Sequence, residues 1–348
     1  MEEDMLTLLS VLRERLDKGE TLALATVVSR KGSAPRGLGA RLLADASGLV
    51  MGTVGGGAAE AAVLEACAEA LRAGDARLLD LRLSNDMAAK EGMVCGGEVR
   101  VFVECLRPDV ETRNFFAAVE AAFRSGGVLL TCLTPGRNVA RALYAAGRFS
   151  GPPLDSEAGK AFLAELDDQN ALRDPVELSF DGHAYFVEPL FPPDRMLIAG
   201  AGHVAVPTAE LAAFAGFSAH VIDDRPEFAR PERFPKAASV RVVPEFADCL
   251  APFSPDARTY VVIITRGHMY DGAVLAQALG TKAGYIGMIG SGKKRDAVYA
   301  ALRERGFGDA DLARVRCPVG LAIGAETPEE IAVSIVGECI AHKRGMQG

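Results

Sequence analysis

The sequence lacks an excess of positive charge and any long apolar run, and each absence excludes a class of protein. Its 348 residues carry 38 Lys and Arg against 46 Asp and Glu, for a net charge of -8. That balance argues against binding through the phosphate field of a nucleic acid. Apolar stretches are interrupted well before the roughly 20 residues that a membrane span needs. Residues 57–71, for example, contain Glu60, Glu65 and Glu69. We therefore expect no nucleic-acid partner and no membrane association.

A regular cysteine pattern is also missing. The seven cysteines are scattered and contain no C-x-x-C pair, which argues against a disulfide framework and against a zinc knuckle. The acidic start from Met1 to Asp4 does not resemble a secretion signal. These features predict a cytoplasmic protein. We find no internal repeat of fixed period.

The composition and length indicate a folded protein with more than one domain. Apolar residues make up 49% of the chain and charged residues 24%, which is typical of globular proteins. At roughly 150 residues per domain, the length suggests about two domains. Consecutive prolines at residues 192 and 193 interrupt both helix and sheet pairing. We predict domains at residues 1–106 and 194–348, with the middle segment 107–193 completing the N-terminal domain.

The predicted fold class is α/β, with an α+β middle segment at residues 107–193. In the N-terminal domain, strands lead to Gly55, Gly56 and Gly57, which open a long Ala-rich helix. After residue 195, apolar strands alternate with helices, as expected of a Rossmann-like doubly wound parallel sheet. The six strands predicted in that sheet are residues 196–199, 219–223, 240–243, 260–265, 285–289 and 321–323.

A glycine motif follows the first strand of this predicted sheet. Gly200, Gly202 and the adjacent His203 belong to a G-x-G-x-x-A sequence, which lets a pyrophosphate approach the start of a helix. Asp223 ends the next strand and could bind a ribose hydroxyl, whereas Arg225 could accommodate a ribose phosphate instead. A Rossmann-shaped domain that has lost its nucleotide is the alternative interpretation.

Further loops follow parallel strands and should open onto the same crevice. Ser291 and Lys293 suit an anionic group, although a solvated helix start would look alike. Arg266 and His268 lie in a second loop, where His268 and Asp271 could form an acid/base pair, contact a ligand or be ordinary loop residues. A metal site that combines His203 with this pair is another alternative.

Cys95 is the cysteine whose neighbours least resemble a core. Gly96 and Gly97 follow it and would give access to a thiolate nucleophile or a soft metal ligand. A buried turn cysteine is the alternative. Arg36 and Arg41, near the triple-glycine helix start, could form an anion clamp or a solvated surface loop.

Several of these segments, taken in order, resemble the xanthine dehydrogenase accessory factor family (XdhC/CoxI). The resemblance runs from about residue 20 to the C-terminus. Cys317 and Ala322 depart from the pattern expected around residues 318–321. The segments that carry the resemblance are residues 32–36 (GSAPR), 52–57 (GTVGGG), 93–97 (MVCGG), 200–203 (GAGH), 223–226 (DDRP), 265–268 (TRGH), 318–321 (PVGL) and 323–331 (IGAETPEEI).

The resemblance implies a non-catalytic maturation factor. Such a factor binds molybdenum cofactor (molybdopterin) and passes it to an apo molybdenum hydroxylase of the xanthine or carbon monoxide dehydrogenase type. It also implies that Cys95 contacts the cofactor as its metal ligand and that a cysteine desulfurase supplies the terminal sulfur. The apolar composition and the need for two modules to share a ligand crevice further suggest a homo-oligomer, in the simplest case a homodimer.

Two other functions are compatible with the residues. An NAD(P)-dependent oxidoreductase would use the Rossmann domain for its cofactor and His268 as acid/base. A redox or sulfur-carrying protein would use Cys95 and would form a persulfide or sulfenate.

Overall fold

The computed structural model describes residues 2–32, 36–82, 97–145, 148–150, 174–180 and 182–346. The chain divides into two compact units, Met1–Pro192 and Pro193–Gly348. The predicted fold class is confirmed, because the second unit contains a six-stranded parallel sheet and the first combines helices with two antiparallel sheets.

The first half of the first unit is a helix followed by a five-stranded antiparallel sheet. The strand order is β3-β2-β1-β5-β4, so β1 lies in the centre. The elements are α1 (Glu2–Asp17), β1 (Leu22–Lys31), β2 (Arg41–Asp45), β3 (Gly48–Gly52), α2 (Gly57–Ala73), β4 (Arg77–Arg82) and β5 (Glu98–Leu106).

The second half of this unit also begins with a helix and continues into a five-stranded antiparallel sheet. Its strand order is β8-β7-β6-β10-β9, with β6 in the centre. The described elements are α3 (Val110–Ser125), β6 (Gly127–Cys132), β7 (Arg141–Ala145), β8 (Arg148–Ser150), β9 (Val176–Phe180) and β10 (His183–Leu190).

The two halves therefore repeat one strand order, and they also repeat residues in register. On the central strand β1, Thr26 lies opposite Arg41 of β2. On the central strand β6, Thr131 lies opposite Arg141 of β7 in the same way. On the other side, each threonine lies opposite a phenylalanine. The first unit is thus a structural duplication.

Glutamates complete the repeated pattern. Glu104 of β5 pairs with a leucine of β1, and Glu188 of β10 pairs with a leucine of β6. The number of residues between equivalent positions is not constant. It is larger between Thr26 and Thr131 than between Glu104 and Glu188. A search for a fixed period cannot detect such a repeat.

The two sheets pack face to face through a core that contains reciprocal ion pairs. Arg41 of the first sheet donates to Glu188 of the second at 2.6 Å. Arg141 of the second sheet donates to Glu104 of the first, with its Nε at 2.8 Å. All four side chains are at most 17% exposed. Each half therefore supplies one arginine and one glutamate to the other.

The second unit is a parallel sheet of order β13-β12-β11-β14-β15-β16 with helices on its faces. Its strands are β11 (Arg195–Ala199), β12 (Ser218–Asp223), β13 (Ser239–Val242), β14 (Thr259–Ile263), β15 (Tyr285–Met288) and β16 (Val315–Arg316). Its helices are α4 (Ala205–Phe214), α5 (His268–Leu279), α6 (Gly292–Glu304), α7 (Asp309–Leu312) and α8 (Pro328–Lys343).

Alternate residues of the central strands fill two separate cores. Leu197 and Val261 point to one face, and Met196 and Val262 point to the other. All four are fully buried. Burial on both faces explains why these strands appear as continuous apolar runs in the sequence.

The predicted strand at residues 321–323 is wrong, and β16 takes the sixth place in the sheet instead. The Leu321 amide donates to the Ser334 carbonyl at 3.2 Å, and the Ser334 hydroxyl donates to the Leu321 carbonyl at 2.7 Å. Helix α8 thus satisfies the backbone groups that a neighbouring strand would otherwise bind. The segment packs on this helix rather than extending the sheet.

Candidate functional site

The loops after β11, β12 and β14 meet at the carboxyl edge of the parallel sheet. The backbone amide of Ala201, after β11, donates to Asp223 at the end of β12. Arg266, after β14, donates to Asp224 at 2.8 Å. In an open α/β sheet, this edge is where ligands bind. The structure therefore brings together the crevice residues that the sequence predicts after these three strands.

Gly200 and Gly202 have different roles in the first loop. Gly200 has φ +114°, and a Cβ there would lie 2.4 Å from the carbonyl oxygen of Ile264. A Cβ on Gly202 would meet nothing within 4 Å. Gly200 thus permits the tight turn, and Gly202 leaves space before α4 that an anionic group could enter. His203, the next residue, is exposed.

Asp223 is buried and surrounded by donors from its own chain. The Ala201 amide donates at 2.6 Å, the Arg225 amide at 3.0 Å, and the Arg225 side chain at 2.8 and 2.9 Å. Burial works to raise the pKa of Asp223, but these hydrogen bonds outweigh it and leave the pKa below its usual value. Asp223 is therefore an ionised carboxylate that fixes the glycine loop and Arg225.

The segment after β12 folds back over the glycine loop. The Arg225 guanidinium lies 3.8 Å from the centre of the Phe228 ring, and that of Arg233 lies 5.1 Å from it. Arg233 also donates to the Ala201 carbonyl at 2.9 Å. Cation–π contacts of this kind stabilise the guanidinium groups, so this side of the crevice is lined by ordered arginines.

Arg266 provides a further cation at the same edge. Besides its bond to Asp224, its Nη2 donates to the Tyr270 hydroxyl at 3.0 Å, and its guanidinium lies 4.8 Å from the centre of that ring. The side chain is 40% exposed. Arg266 is therefore both held in position and accessible.

A second buried carboxylate, Asp271, lies at the start of α5. It is 0% exposed and accepts from the Thr265 hydroxyl at 2.6 Å. Lys294 forms an ion pair with its other oxygen. The predicted partner His268 has a side chain outside the described residues. The structure thus gives Asp271 a threonine and a lysine as partners.

Ser291 and Lys293 lie at the start of α6. Ser291 caps the helix by accepting from the Lys294 amide at 3.3 Å. Lys293 is exposed. Sequence reasoning selected Lys293 and assigned no role to Lys294 or Thr265 of the same loops, although the short distance along the chain between Thr265 and Asp271 was a usable signal.

In the first unit, the glycines at the start of α2 leave an open approach. Gly55, Gly56 and Gly57 have φ values of +148°, +81° and +59°, and a Cβ on Gly56 would meet nothing within 4 Å. Arg36 is exposed, whereas Arg41 is buried in the ion pair with Glu188. Of the two predicted clamp residues, the structure therefore leaves only Arg36 at the surface.

Cys95 and Gly96 lie outside the described residues, and Gly97 is buried immediately before β5. Burial raises the pKa of Cys67 to about 12 and that of Cys249 to about 11. It also raises the pKa of Cys105, Cys317 and Cys339. Raised values keep a thiol protonated and unreactive, so none of these five is a ready thiolate.

The described residues include no group of three or more His, Cys, Asp or Glu side chains arranged to hold a metal ion. Within the same residues, no helix is both long and apolar enough to cross a membrane.

Comparisons with known proteins agree with this arrangement. Residues 196–339 match the XdhC Rossmann domain, and residues 15–82 match the XdhC and CoxI family. The second unit is therefore a Rossmann domain of the XdhC class. The two matched segments, residues 15–82 and 196–339, thus both resemble proteins of the XdhC and CoxI family.

Two curated relatives extend over nearly the whole chain. It is 29% identical over 340 residues to a protein of Bacillus subtilis (strain 168) described as a probable xanthine dehydrogenase subunit, covering 96% of this chain and 97% of the relative. It is 24% identical over 340 residues to the molybdenum cofactor insertion chaperone PaoD of Escherichia coli (strain K12), covering 97% and 88%.

A solved structure has the same fold. A crystal structure described as a xanthine dehydrogenase from Bacillus halodurans superposes with a TM-score of 0.76 at 23% identity, covering 98% of this chain and 96% of that one.

Proposed function

We propose that this protein is a maturation factor that binds molybdenum cofactor and delivers it to an apo molybdenum hydroxylase of the xanthine or carbon monoxide dehydrogenase type. Its family, and a relative described as a molybdenum cofactor insertion chaperone, support an accessory role. In this role it works in the cytoplasm, as a homodimer, beside a cysteine desulfurase that supplies the terminal sulfur.

The observation that carries the proposal is the open carboxyl-edge crevice of the Rossmann domain. Space remains before α4 at Gly202, while Arg225, Arg266 and Lys294 neutralise the carboxylates of this edge. A crevice with helix starts and fixed guanidinium groups suits an anionic ligand. The phosphate of a pterin cofactor has this chemistry.

The residues of the chain hold the cofactor and do not transform it. Cys95 provides the soft sulfur ligand, with Gly96 and Gly97 giving access. Arg36 and the helix start at Gly55–Gly57 give the first unit an anion-binding surface of its own. When bound, the cofactor supplies molybdenum and a dithiolene for the client enzyme. Because burial raises the pKa of five other cysteines and the sixth, Cys132, is itself buried, Cys95 is the strongest candidate for the thiolate.

The test is the molybdenum and pterin content of the protein purified from cells that make the cofactor. We expect Cys95→Ser to fold normally and to lose most of its molybdenum, because oxygen is a poorer soft-metal ligand than sulfur. Cys105→Ser is the matched control, since Cys105 is a partly buried cysteine of the same unit. Equal molybdenum and pterin in wild type and Cys95→Ser, at equal folded protein, would contradict the proposed role of Cys95.

A delivery assay tests the second half of the proposal. The loaded protein, mixed with an apo hydroxylase of this type, should restore its activity without free cofactor in solution. A mixture in which activity recovers only at the rate given by free cofactor would contradict delivery.

A further inference from the structure

The Asp223 carboxylate has no acceptor site left for a ligand. An ionised carboxylate offers about four acceptor sites. Two backbone amides and the Nε and Nη2 groups of Arg225 together supply four donors, at 2.6 to 3.0 Å. Asp223 is 1% exposed. In a Rossmann domain that binds NAD, the acid at this position accepts the ribose hydroxyls. Here donors from the same chain occupy the positions on the carboxylate that ribose hydroxyls would take.

Arg225 is fixed firmly enough to keep Asp223 occupied. The guanidinium forms a two-pronged contact with the carboxylate and stacks on Phe228 at 3.8 Å. Bidentate, charge-assisted contacts of this kind are among the stronger hydrogen bonds in proteins. A ribose hydroxyl, which is neutral, cannot replace an arginine there without a large loss. The contact therefore closes the usual ribose position.

The same contact leaves donors facing outward. Arg225 uses Nε and Nη2 on Asp223, and its Nη1 makes no hydrogen bond with the described residues. Arg266, joined to the same segment through Asp224, is 40% exposed and also uses only Nη2 in hydrogen bonds with described residues. Glu227 is an exposed carboxylate that interacts electrostatically with Arg225. Its negative charge partly offsets the attraction of these arginines for an anion. Guanidinium N–H groups in a fixed plane match phosphate oxygens.

We propose that Arg225 determines the ligand specificity of the Rossmann crevice. It withdraws Asp223 from ligand binding and offers guanidinium donors in its place. The crevice therefore takes a ligand that presents a phosphomonoester at the end of β12, and it rejects NAD, whose adenosine ribose is unphosphorylated. The phosphomonoester belongs either to a pterin or to a 2′-phosphorylated dinucleotide. This inference rests on the proposed function only in treating the crevice as a ligand site.

Calorimetry on the full-length protein without molybdenum tests the proposal with three probes: NAD, NADP and a pterin phosphomonoester. We expect at least one phosphomonoester probe to bind wild type about tenfold to a hundredfold more tightly than NAD, which is the value of one charge-assisted contact. Binding of NADP alone identifies a dinucleotide source, and binding of the pterin alone identifies a pterin source. If NAD binds as tightly as both other probes, or if neither phosphomonoester binds, the proposal is overturned.

Variants provide the second arm of the test. Arg225→Ala frees two acceptor positions on Asp223, so it should weaken the phosphomonoester and strengthen NAD, each by about tenfold or more. Arg230→Ala, an exposed arginine of the same segment, is the matched control and should leave the preference unchanged. If Arg225→Ala does not fold, Arg225→Lys replaces it in the test. This variant keeps the charge but not the two-pronged contact, so its preference should lie between those of wild type and a variant without the charge. An unchanged preference in a folded Arg225 variant would refute the inference.

This experiment is independent of the molybdenum assay. A protein that holds molybdenum cofactor but prefers NAD in the crevice would retain the proposed function and lose this inference. A protein that holds no molybdenum cofactor but prefers a phosphomonoester in the crevice would retain this inference and lose the proposed function.

Discussion

Replacing Arg41 with methionine would leave a carboxylate without its partner in the core of the first unit. Arg41 and Glu188 are 8% and 5% exposed, and their atoms are 2.6 Å apart. Removing one partner of a buried ion pair costs about 3–5 kcal/mol, because the other charge stays desolvated. Methionine keeps an unbranched apolar chain, so we expect the loss of unfolding free energy to come mainly from the charge.

The cost should depend on pH in a defined direction. Burial raises the pKa of Glu188, and Arg41 opposes that rise. Without Arg41 the pKa of Glu188 rises further, so the folded variant binds a proton more readily than the unfolded chain does. Stability then falls as the pH increases through the folded-state pKa. We therefore expect Arg41→Met to lose less stability at pH 5 than at pH 8.

Two controls separate the ion pair from other effects. Arg41→Met combined with Glu188→Leu removes both charges and should recover most of the loss, since apolar replacement of a buried pair is often neutral or better. Lys18→Met breaks the exposed Glu14–Lys18 pair, whose side chains are 65% and 59% exposed, and should change stability by about 0.5 kcal/mol or less.

Hydrogen exchange of peptides from β1 and β10, measured across a urea series, reports the first unit separately from the second. A loss below about 1 kcal/mol for Arg41→Met at pH 8, the size expected of a surface pair, would refute the argument. So would a double variant that is no more stable than the single one.

Four further outcomes are expected. Gly200→Ala should destabilise the second unit by roughly 1–3 kcal/mol in thermal unfolding, since its φ of +114° and a Cβ 2.4 Å from a carbonyl oxygen both oppose a side chain. Gly202→Val should unfold like wild type but lose the anionic ligand in calorimetry, because its side chain would fill the open space; unchanged binding would contradict this. Lys293→Ala should keep its stability and weaken that ligand by roughly tenfold to a hundredfold, or Lys293 takes no part in binding. Cys67 and Cys249, whose pKa values burial raises to about 12 and about 11, should resist alkylation at pH 8 in the folded chain, and rapid labelling would show that these thiols are accessible.

The Rossmann domain could be predicted well because its signals are local. Continuous apolar strands and the glycines at residues 200 and 202 define strand, turn and helix within a short stretch of chain. The failed strand at residues 321–323 shows the limit of local signals. Its backbone partners lie on α8, and nothing in the three residues themselves indicates a helix rather than a strand as the neighbour.

The positions of the site residues could be predicted from the sequence, but the hydrogen-bond partners that they have in the structure could not. Sequence spacing placed Asp223 at the end of β12, where the structure has it. Spacing could not show that Arg225, two residues later, turns back onto the carboxylate. Arg41 was expected in a surface loop or an anion clamp. Its buried partner Glu188 is 147 residues away, and an ion pair of that separation leaves no local pattern in the sequence.

The duplication in the first unit gives it the interface of a symmetric dimer inside one chain. In an isologous dimer, residue i contacts residue j and residue j contacts residue i, and the two arginine–glutamate pairs satisfy that relation between the halves. A true homodimer must keep both copies identical, whereas halves joined by a covalent chain can diverge. One half has a long connection between β4 and β5, which contains Cys95, while in its counterpart β9 ends at Phe180 and β10 begins at His183. The covalent link thus allows the unit to be symmetric in its core and asymmetric in the connection that contains Cys95.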